Sequence, residues 1–331
     1  MKTALFLFNP HAGKGKIGTK LASITDTLTK AGFLVTTYPT QAPNDATEKI
    51  SQWGRFYDRV IVAGGDGMLH EAVNGIMSLI KTNPCLTNPS HEISATKKDS
   101  PALAYIPSGT VNDFAVSHKI PKNIDAAVKL SATGTIHITD IGSLIGQNTT
   151  QATTEKSNTI SQYFSYVAAF GAITDITYTT DQESKNIFGF LAYLASATKY
   201  INLKLLLGAC RHMVIQTDTQ TIEDDFLLGY ICNSKTIGSF KQLVPKGADL
   251  NDGLFEALFI KKPHTIANLS HVLNLLLNGN TDIPEIVTLK SSHYTITTSE
   301  PTEWNLDGED AGLYNLVSIQ AHHQALPIIL P

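Results

Sequence analysis

The 331-residue chain is 42% apolar and 16% charged, with 25 lysines and arginines against 29 aspartates and glutamates. This composition excludes a disordered or fibrous polymer and provides enough material for one large or two ordinary globular domains. A formal net charge of -4 argues against a nucleic-acid partner, which needs a basic face, but allows a small anion held by a few lysines.

Ala4 to Phe8 is a continuous apolar run, too short for a signal peptide, and reads as a first strand. Ile17, Leu21, Ile24 and Leu28 then recur on one helical face, and Gly32 ends that helix. Leu34 to Tyr38 predicts a second strand, after which Asn44 or Asp45 can cap a helix carrying Ala46, Ile50 and Trp53. Val60 to Ala63 is the third strand. Leu69, Ala72, Val73, Ile76, Met77 and Ile80 form an apolar helical stripe after a glycine turn, and Leu103 to Ile106 is the fourth strand. Strands alternating with amphipathic helices predict a parallel sheet covered on both faces, with ligands bound outside the carboxyl ends of the strands.

From about Thr135 the rhythm changes. "TIHITDIGSLIG", "QYFSYVAAFG", "FLLGYICNSK", "DGLFEALFI" and "IVTLKSSHYTITT" are strand-like with mostly polar or glycine-bearing connections, apart from helical stretches near Ile187 to Tyr200 and Thr265 to Leu277. The fold expected is therefore an α/β N-terminal nucleotide-binding domain with a parallel sheet over residues 1–137. An antiparallel β-sandwich-like domain follows over 138–311, with a last strand in 312–331 that could return to either. "FGFLAYLASATKYINLKLLLGA" is interrupted by Lys199 and Lys204, short of the roughly eighteen apolar residues of a membrane span. Cys85, Cys210 and Cys232 are odd in number and widely spaced, which predicts a reducing cytoplasm and no zinc site.

Glycine turns at strand ends carry the chemistry. "NPHAGKG" is not a Walker A loop, because no Gly-Lys-Ser/Thr follows; Gly13, Gly15 and Gly18 make a nominal dinucleotide fingerprint, but the acidic residue expected after the second strand is missing from "VTTYPT". Lys14 and Lys16 suit an anion. "VAGGDGMLHEAVNG" sets Asp66 in a turn whose N–H groups and helix dipole favour phosphate, so a cation or a proton has to mediate between them. "PSGTVNDF" offers a hydroxyl on Thr110, an amide on Asn112 and a carboxylate on Asp113 beside Gly109. "DLNDGL" can form an oxygen-lined cation site or a plain Asp-Gly turn. In "EWNLDGED", Asp307 and Glu309 are expected to share one face of a strand end.

The set "NPHAGKG", "GGDGMLHEAVNG" and "PSGTVNDFA", continued by "SKNIFGFLAY", "PKGADLNDGLFE" and "EWNLDGED", resembles the diacylglycerol kinase catalytic-domain family, particularly its soluble bacterial lipid kinases, which are related to sphingosine kinases. The resemblance spans nearly the whole chain. It implies a lipid kinase using ATP and Mg²⁺ on a primary hydroxyl of diacylglycerol or a similar lipid, with ATP and lipid meeting in a cleft. By resemblance, Asn9, Pro10, His11, Ala12, Gly13 and Lys14 together with Gly64, Gly65, Asp66, Gly67, Met68, Leu69 and His70 embrace the phosphates. Thr40, Gly109, Thr110 and Asn112 complete the nucleotide site. Asp307 is the first choice of general base and Glu309 the second; Asp140 joins them to Asp66, and Lys185 lies near the phosphates. Asp249, Asp252 and the Leu254 carbonyl take the place of a structural Mg²⁺ site. Two departures stand out: Met68 replaces the threonine of GGDGT, which removes a hydroxyl at the helix start, and His70 replaces a usual asparagine. The resemblance further implies a cytoplasmic protein that meets its lipid substrate peripherally at a membrane surface, with a homodimer left open. Rival readings are an NAD kinase-like or other small-molecule kinase, a Rossmann oxidoreductase, and a non-catalytic nucleotide- or lipid-binding regulator.

Overall fold

A computed structural model describes residues 1–11, 15–82, 100–148, 160–171, 210–238, 240–245 and 247–331. The chain divides into two compact units. The first comprises Met1–Ile141, Tyr163–Ser165 and His322–Pro331; the second comprises Gly142–Gln162 and Tyr166–Ala321.

The first unit runs β1 (Lys2–Phe8), α1 (Lys16–Lys30), β2 (Phe33–Pro39), α2 (Asp45–Trp53), β3 (Arg59–Gly64), α3 (Asp66–Thr82), β4 (Ala102–Pro107), α4 (Asp113–Ser117) and α5 (Ile124–Thr133). Strand β5 (Thr135–Gln147) begins in this unit, and the end of β13 (Glu309–Leu330) returns to it. The ladder order is β2-β1-β3-β4-β13, with β1–β2, β1–β3, β3–β4 and β4–β13 all paired in parallel. Alternate side chains of each strand enter opposite cores. Leu5, Leu7, Val60 and Val62 meet α2 and α3 on one face, while Ala4, Phe6, Ile61 and Ala63 meet α1 and α5 on the other. Burial on both faces explains why β1, β3 and β4 read as unbroken apolar runs, whereas edge strand β2 can expose Thr36 and Thr37.

Two charged residues in this unit work on helix ends. Arg59 is 8% exposed and donates to the Ser131 and Ala132 carbonyls at the end of α5, where a cation complements the helix dipole. Asn44 precedes α2 in the left-handed region and makes no side-chain cap. The carboxylate of Glu71 on α3 does this instead, accepting from the Asn44 and Ala46 N–H groups at 2.9 and 3.0 Å.

The second unit contains β7 (Val167–Gly171), β8 (Arg211–Thr217), β9 (Thr221–Cys232), β10 (Phe255–Lys261), α6 (Ile266–Leu277), β11 (Ile286–Ser291), β12 (His293–Leu306) and the first part of β13. Pairing is antiparallel from β11 through β10 to β9 and from β12 to β13. β7 and β8 lie end to end in the same slot, each pairing with both β9 and β12. Leu269, Val272, Leu273 and Leu276 of α6 pack on Tyr230, Leu258 and Ile260, so the layer opposite this part of the sheet is helical. Thr265 caps α6 by accepting from the Asn268 N–H at 3.0 Å. The run "QYFSYVAAFG", read as one strand, is broken in two at Ser165–Tyr166, giving β6 (Ile160–Phe164) and β7. "IVTLKSSHYTITT" is likewise broken at Ser292, where Asp218 accepts from both Ser291 and Ser292 hydroxyls at 2.7 Å. The helical stretch expected near Ile187 to Tyr200 lies outside the described residues.

Candidate active site

In the first unit the β1, β2, β3 and β4 ends bring Asn9, Thr40, Gly64–Gly65 and Ser108–Gly109 to the carboxyl edge of the sheet. β1 lies between β2 and β3, so the chain leaves in opposite directions on either side of it, and this is where open α/β sheets take their ligands. Asn9 donates its N–H to the Ala63 carbonyl at 3.2 Å and accepts the His11 N–H on Oδ1 at 2.8 Å. Thr40 donates its N–H to the Phe8 carbonyl at 3.0 Å.

The turns after β3 and β4 are joined through backbone. A Cβ on Gly109 would lie 2.7 Å from the Gly65 Cα, so only glycine permits the approach. The Ser108 N–H donates to the Gly64 carbonyl at 2.8 Å, and the Asn112 N–H donates to Asp66 Oδ2 at 3.0 Å. Asn112 itself is 2% exposed, with φ 56°. Its Oδ1 accepts the Gly109 N–H at 3.1 Å and lies 3.0 Å from the Tyr105 hydroxyl, while its Nδ2 donates to the Gly109 carbonyl at 2.7 Å. Asn112 therefore organises the turn as well as orienting Asp66. Burial pushes the Tyr105 phenol up, so it stays a neutral donor.

Met68 and Leu69 are buried, at 8% and 0% exposure, in the core shared with α2 and α3, and the Met68 side chain packs over Gly64. His70 is half-buried beside Asn74, whose Nδ2 and Oδ1 bond the Tyr163 carbonyl and N–H, each at 2.9 Å. Thr110 and His11 are exposed, and Pro10 is half-buried. Ala12, Gly13, Lys14 and Lys185 lie outside the described residues. Asp140 is 1% exposed; it accepts the Gln324 N–H at 2.7 Å, and His323 Nδ1 is 3.1 Å away.

In the second unit, Asp307 and Glu309 do not share one face of a strand. Asp307 and Gly308 have φ 54° and 93° and form the two-residue turn between β12 and β13, with Glu309 opposite Leu306. Asn305 Oδ1 accepts the Gly308 N–H at 2.8 Å. Asp307 is 2% exposed and its Oδ1 accepts the N–H groups of Tyr166 and Val167 at 2.9 and 3.1 Å, so it also builds the bend before β7. Glu309 is exposed.

The turn at Asp249, Asp252 and Leu254 is held by its own backbone and by a lysine. Asp249 Oδ1 accepts the Asn251 N–H at 3.2 Å and Asp252 Oδ1 accepts the Leu254 N–H at 3.0 Å. Asp252 Oδ2 is 2.7 Å from the Lys290 ammonium, a partner 38 residues away that the turn's own sequence could not reveal. Among the described residues no group of three or more His, Cys, Asp and Glu side chains gathers as a metal site.

A doubly wound parallel unit with glycine turns stacked at its carboxyl edge, followed by an antiparallel β unit, is a two-domain α/β fold of the kind that binds ligands at the strand ends. The model of the diacylglycerol kinase catalytic domain matches residues 3–144. The chain is 30% identical to the diacylglycerol kinase of Staphylococcus aureus, covering 97% of this chain and 91% of that one. It is 28% identical to the diacylglycerol kinase of Bacillus subtilis, covering 99% and 97%. A crystal structure of a diacylglycerol kinase from Bacillus anthracis superimposes with a TM-score of 0.69 at 21% identity, covering 100% and 97%; another chain from that strain gives 0.76 at 23%, covering 100% and 95%. The protein belongs to the diacylglycerol kinase family and is a kinase-type enzyme.

Proposed function

We propose that this protein is an ATP- and Mg²⁺-dependent lipid kinase that phosphorylates a primary hydroxyl of diacylglycerol or a lipid like it. The observation that carries the reading is the joined pair of turns, Gly64–Asp66 and Gly109–Asn112, at the carboxyl edge of a parallel sheet in a chain of this family. Backbone N–H groups of these turns suit phosphate oxygens, and the start of α3 adds its dipole. Asp66, oriented by the Asn112 N–H, is a hard oxygen donor that fits the Mg²⁺ accompanying the nucleotide. When bound, that ion supplies charge neutralisation at the β- and γ-phosphates.

Catalysis in this reading is positioning and proton management. The lipid oxygen bonds to the γ-phosphorus as the bond to the bridging oxygen breaks. ADP leaves, and the hydroxyl proton passes to a carboxylate of the Asp307–Glu309 turn. Asp307 is the first assignment, since its Oδ1 bonds hold the group in a fixed orientation; Glu309 is the second. Asn9, Thr40 and Thr110 border the nucleotide, and Lys14 and Lys185 are assigned to the phosphates.

The enzyme acts as a peripheral, cytoplasmic protein in this proposal, consistent with the finding that among the described residues no helix is long and apolar enough to cross a membrane. In this proposal apolar and cationic side chains at Phe188, Phe190, Lys199 and Lys204 meet the membrane interface; these four lie outside the described residues. The test is transfer from γ-labelled ATP to a panel of lipid alcohols and to NAD. Label in diacylglycerol or another lipid supports the reading, whereas label in NAD alone, or in nothing, overturns it.

A further inference from the structure

The cation at the Asp249–Leu254 turn is part of the polypeptide. Lys290 of β11 stands directly opposite Glu256 of β10 in the antiparallel register. Its ammonium lies 2.9 Å from Glu256 Oε1 and 2.7 Å from Asp252 Oδ2. The Glu256 side chain is 3% exposed, against 30% for Asp252 and 36% for Lys290. A buried carboxylate needs a counter-charge within a few ångströms, and removing that charge leaves it unpaired in a poorly solvated place. The lysine reaches in from solvent, meets the buried Glu256 and closes on Asp252 at the turn.

We propose that Lys290 is the built-in counter-cation of this turn, taking in this chain the charge role of a divalent ion, so that the second unit folds without a metal at Asp249, Asp252 and Leu254. Three features of the geometry support this. An ammonium is a compact point charge with three donors, suited to bridge two carboxylates that face it from a turn and a strand. The other Asp252 oxygen already accepts the Leu254 N–H, so the turn is closed by its own backbone. A divalent ion seated on the same carboxylate would lie close to the ammonium and be repelled by it.

The test is thermal unfolding of the nucleotide-free, chelator-treated full chain, titrated with Mg²⁺ alone, for the parent and for Asp252→Asn. Binding to the folded state would raise Tm by mass action. The expected result is that the two proteins respond alike, differing by less than about 1 °C in their Mg²⁺ shift. A parent whose Tm climbs by several degrees with Mg²⁺, while Asp252→Asn does not respond, overturns the proposal. Lys290→Met adds a second readout: its Tm falls and becomes Mg²⁺-dependent, because two uncompensated carboxylates then attract the ion. Should Lys290→Met fail to fold, the comparison of the parent with Asp252→Asn decides alone.

Discussion

Asp307 tests whether one carboxylate can serve both a turn and a reaction. Alanine at this position removes an acceptor from the Tyr166 and Val167 N–H groups, both buried. Each hydrogen bond to a charged group contributes about 1.5–3 kcal/mol. Alanine also has to hold the φ of 54°, which costs an ordinary residue about 1–2 kcal/mol. The expected destabilisation of Asp307→Ala is therefore about 4–8 kcal/mol. Asparagine keeps an acceptor oxygen at Oδ1, tolerates the left-handed region and gives Asn-Gly, a favoured pair for this turn, so Asp307→Asn should cost only about 1–2 kcal/mol. Urea midpoints should rank the parent first, then asparagine, then alanine. Turnover should separate from stability: an asparagine cannot take a proton at neutral pH, so Asp307→Asn loses roughly 10²–10⁴-fold in turnover with nucleotide affinity little changed. Equal destabilisation by asparagine and alanine would refute the hydrogen-bond argument. Near-parental turnover in Asp307→Asn, with Glu309→Gln inactive, would make Glu309 the base.

Gly109→Ala should lower Tm and weaken binding of a non-hydrolysable ATP analogue by roughly 1–3 kcal/mol, because its Cβ meets the Gly65 backbone; calorimetric titration checks it, and unchanged affinity would mean the two turns do not act together. Glu71→Ala should cost about 1–2 kcal/mol by uncapping α2, seen as faster hydrogen exchange in Asn44–Lys49. Burial, helped by Lys81, lowers the His322 pKa to about 4. The folded state thus favours neutral His322, and its contribution is complete above about pH 6.5 and is lost as pH falls towards about 4. Tm–pH curves for the parent and His322→Phe should diverge across that window by about 1–3 kcal/mol in stability, and parallel curves would rule the histidine out.

What the sequence made legible follows from locality. The runs Ala4–Phe8, Val60–Ala63 and Leu103–Ile106 all lie in buried parallel strands, and the stripe from Leu69 to Ile80 is buried as α3, because two-sided burial and helical period are written in neighbouring residues. The glycine turns were legible for the same reason. What escaped depends on partners distant in the chain. Glu71 caps a helix that starts 26 residues before it, Asp307 breaks a strand 140 residues earlier, and Lys290 reaches Asp252 from another strand. The Asp307–Gly308 turn did carry a local signal, since Asp-Gly between apolar strands predicts a two-residue hairpin; reading the segment as one strand end missed it. Met68 stands in a glycine motif that the resemblance assigns to the nucleotide, while its side chain is buried in the core.

The return of β13 to the first unit has a consequence for biosynthesis. Ala325, Leu326, Ile328 and Ile329 are buried there, and Ile328 pairs with Leu103 of β4, a strand made more than 200 residues earlier. At ribosomal speeds of roughly 5–20 residues per second, that gap is on the order of tens of seconds. Throughout it, β4 lacks its β13 neighbour and the cores beside it lack four apolar side chains, so the amino-terminal unit cannot complete its sheet until residues 322–330 have been made. A nascent chain stalled or trimmed before His322 would therefore lose the integrity of its first-made half, and an unpaired parallel strand of this kind is a docking edge for chaperones or for other unfinished copies.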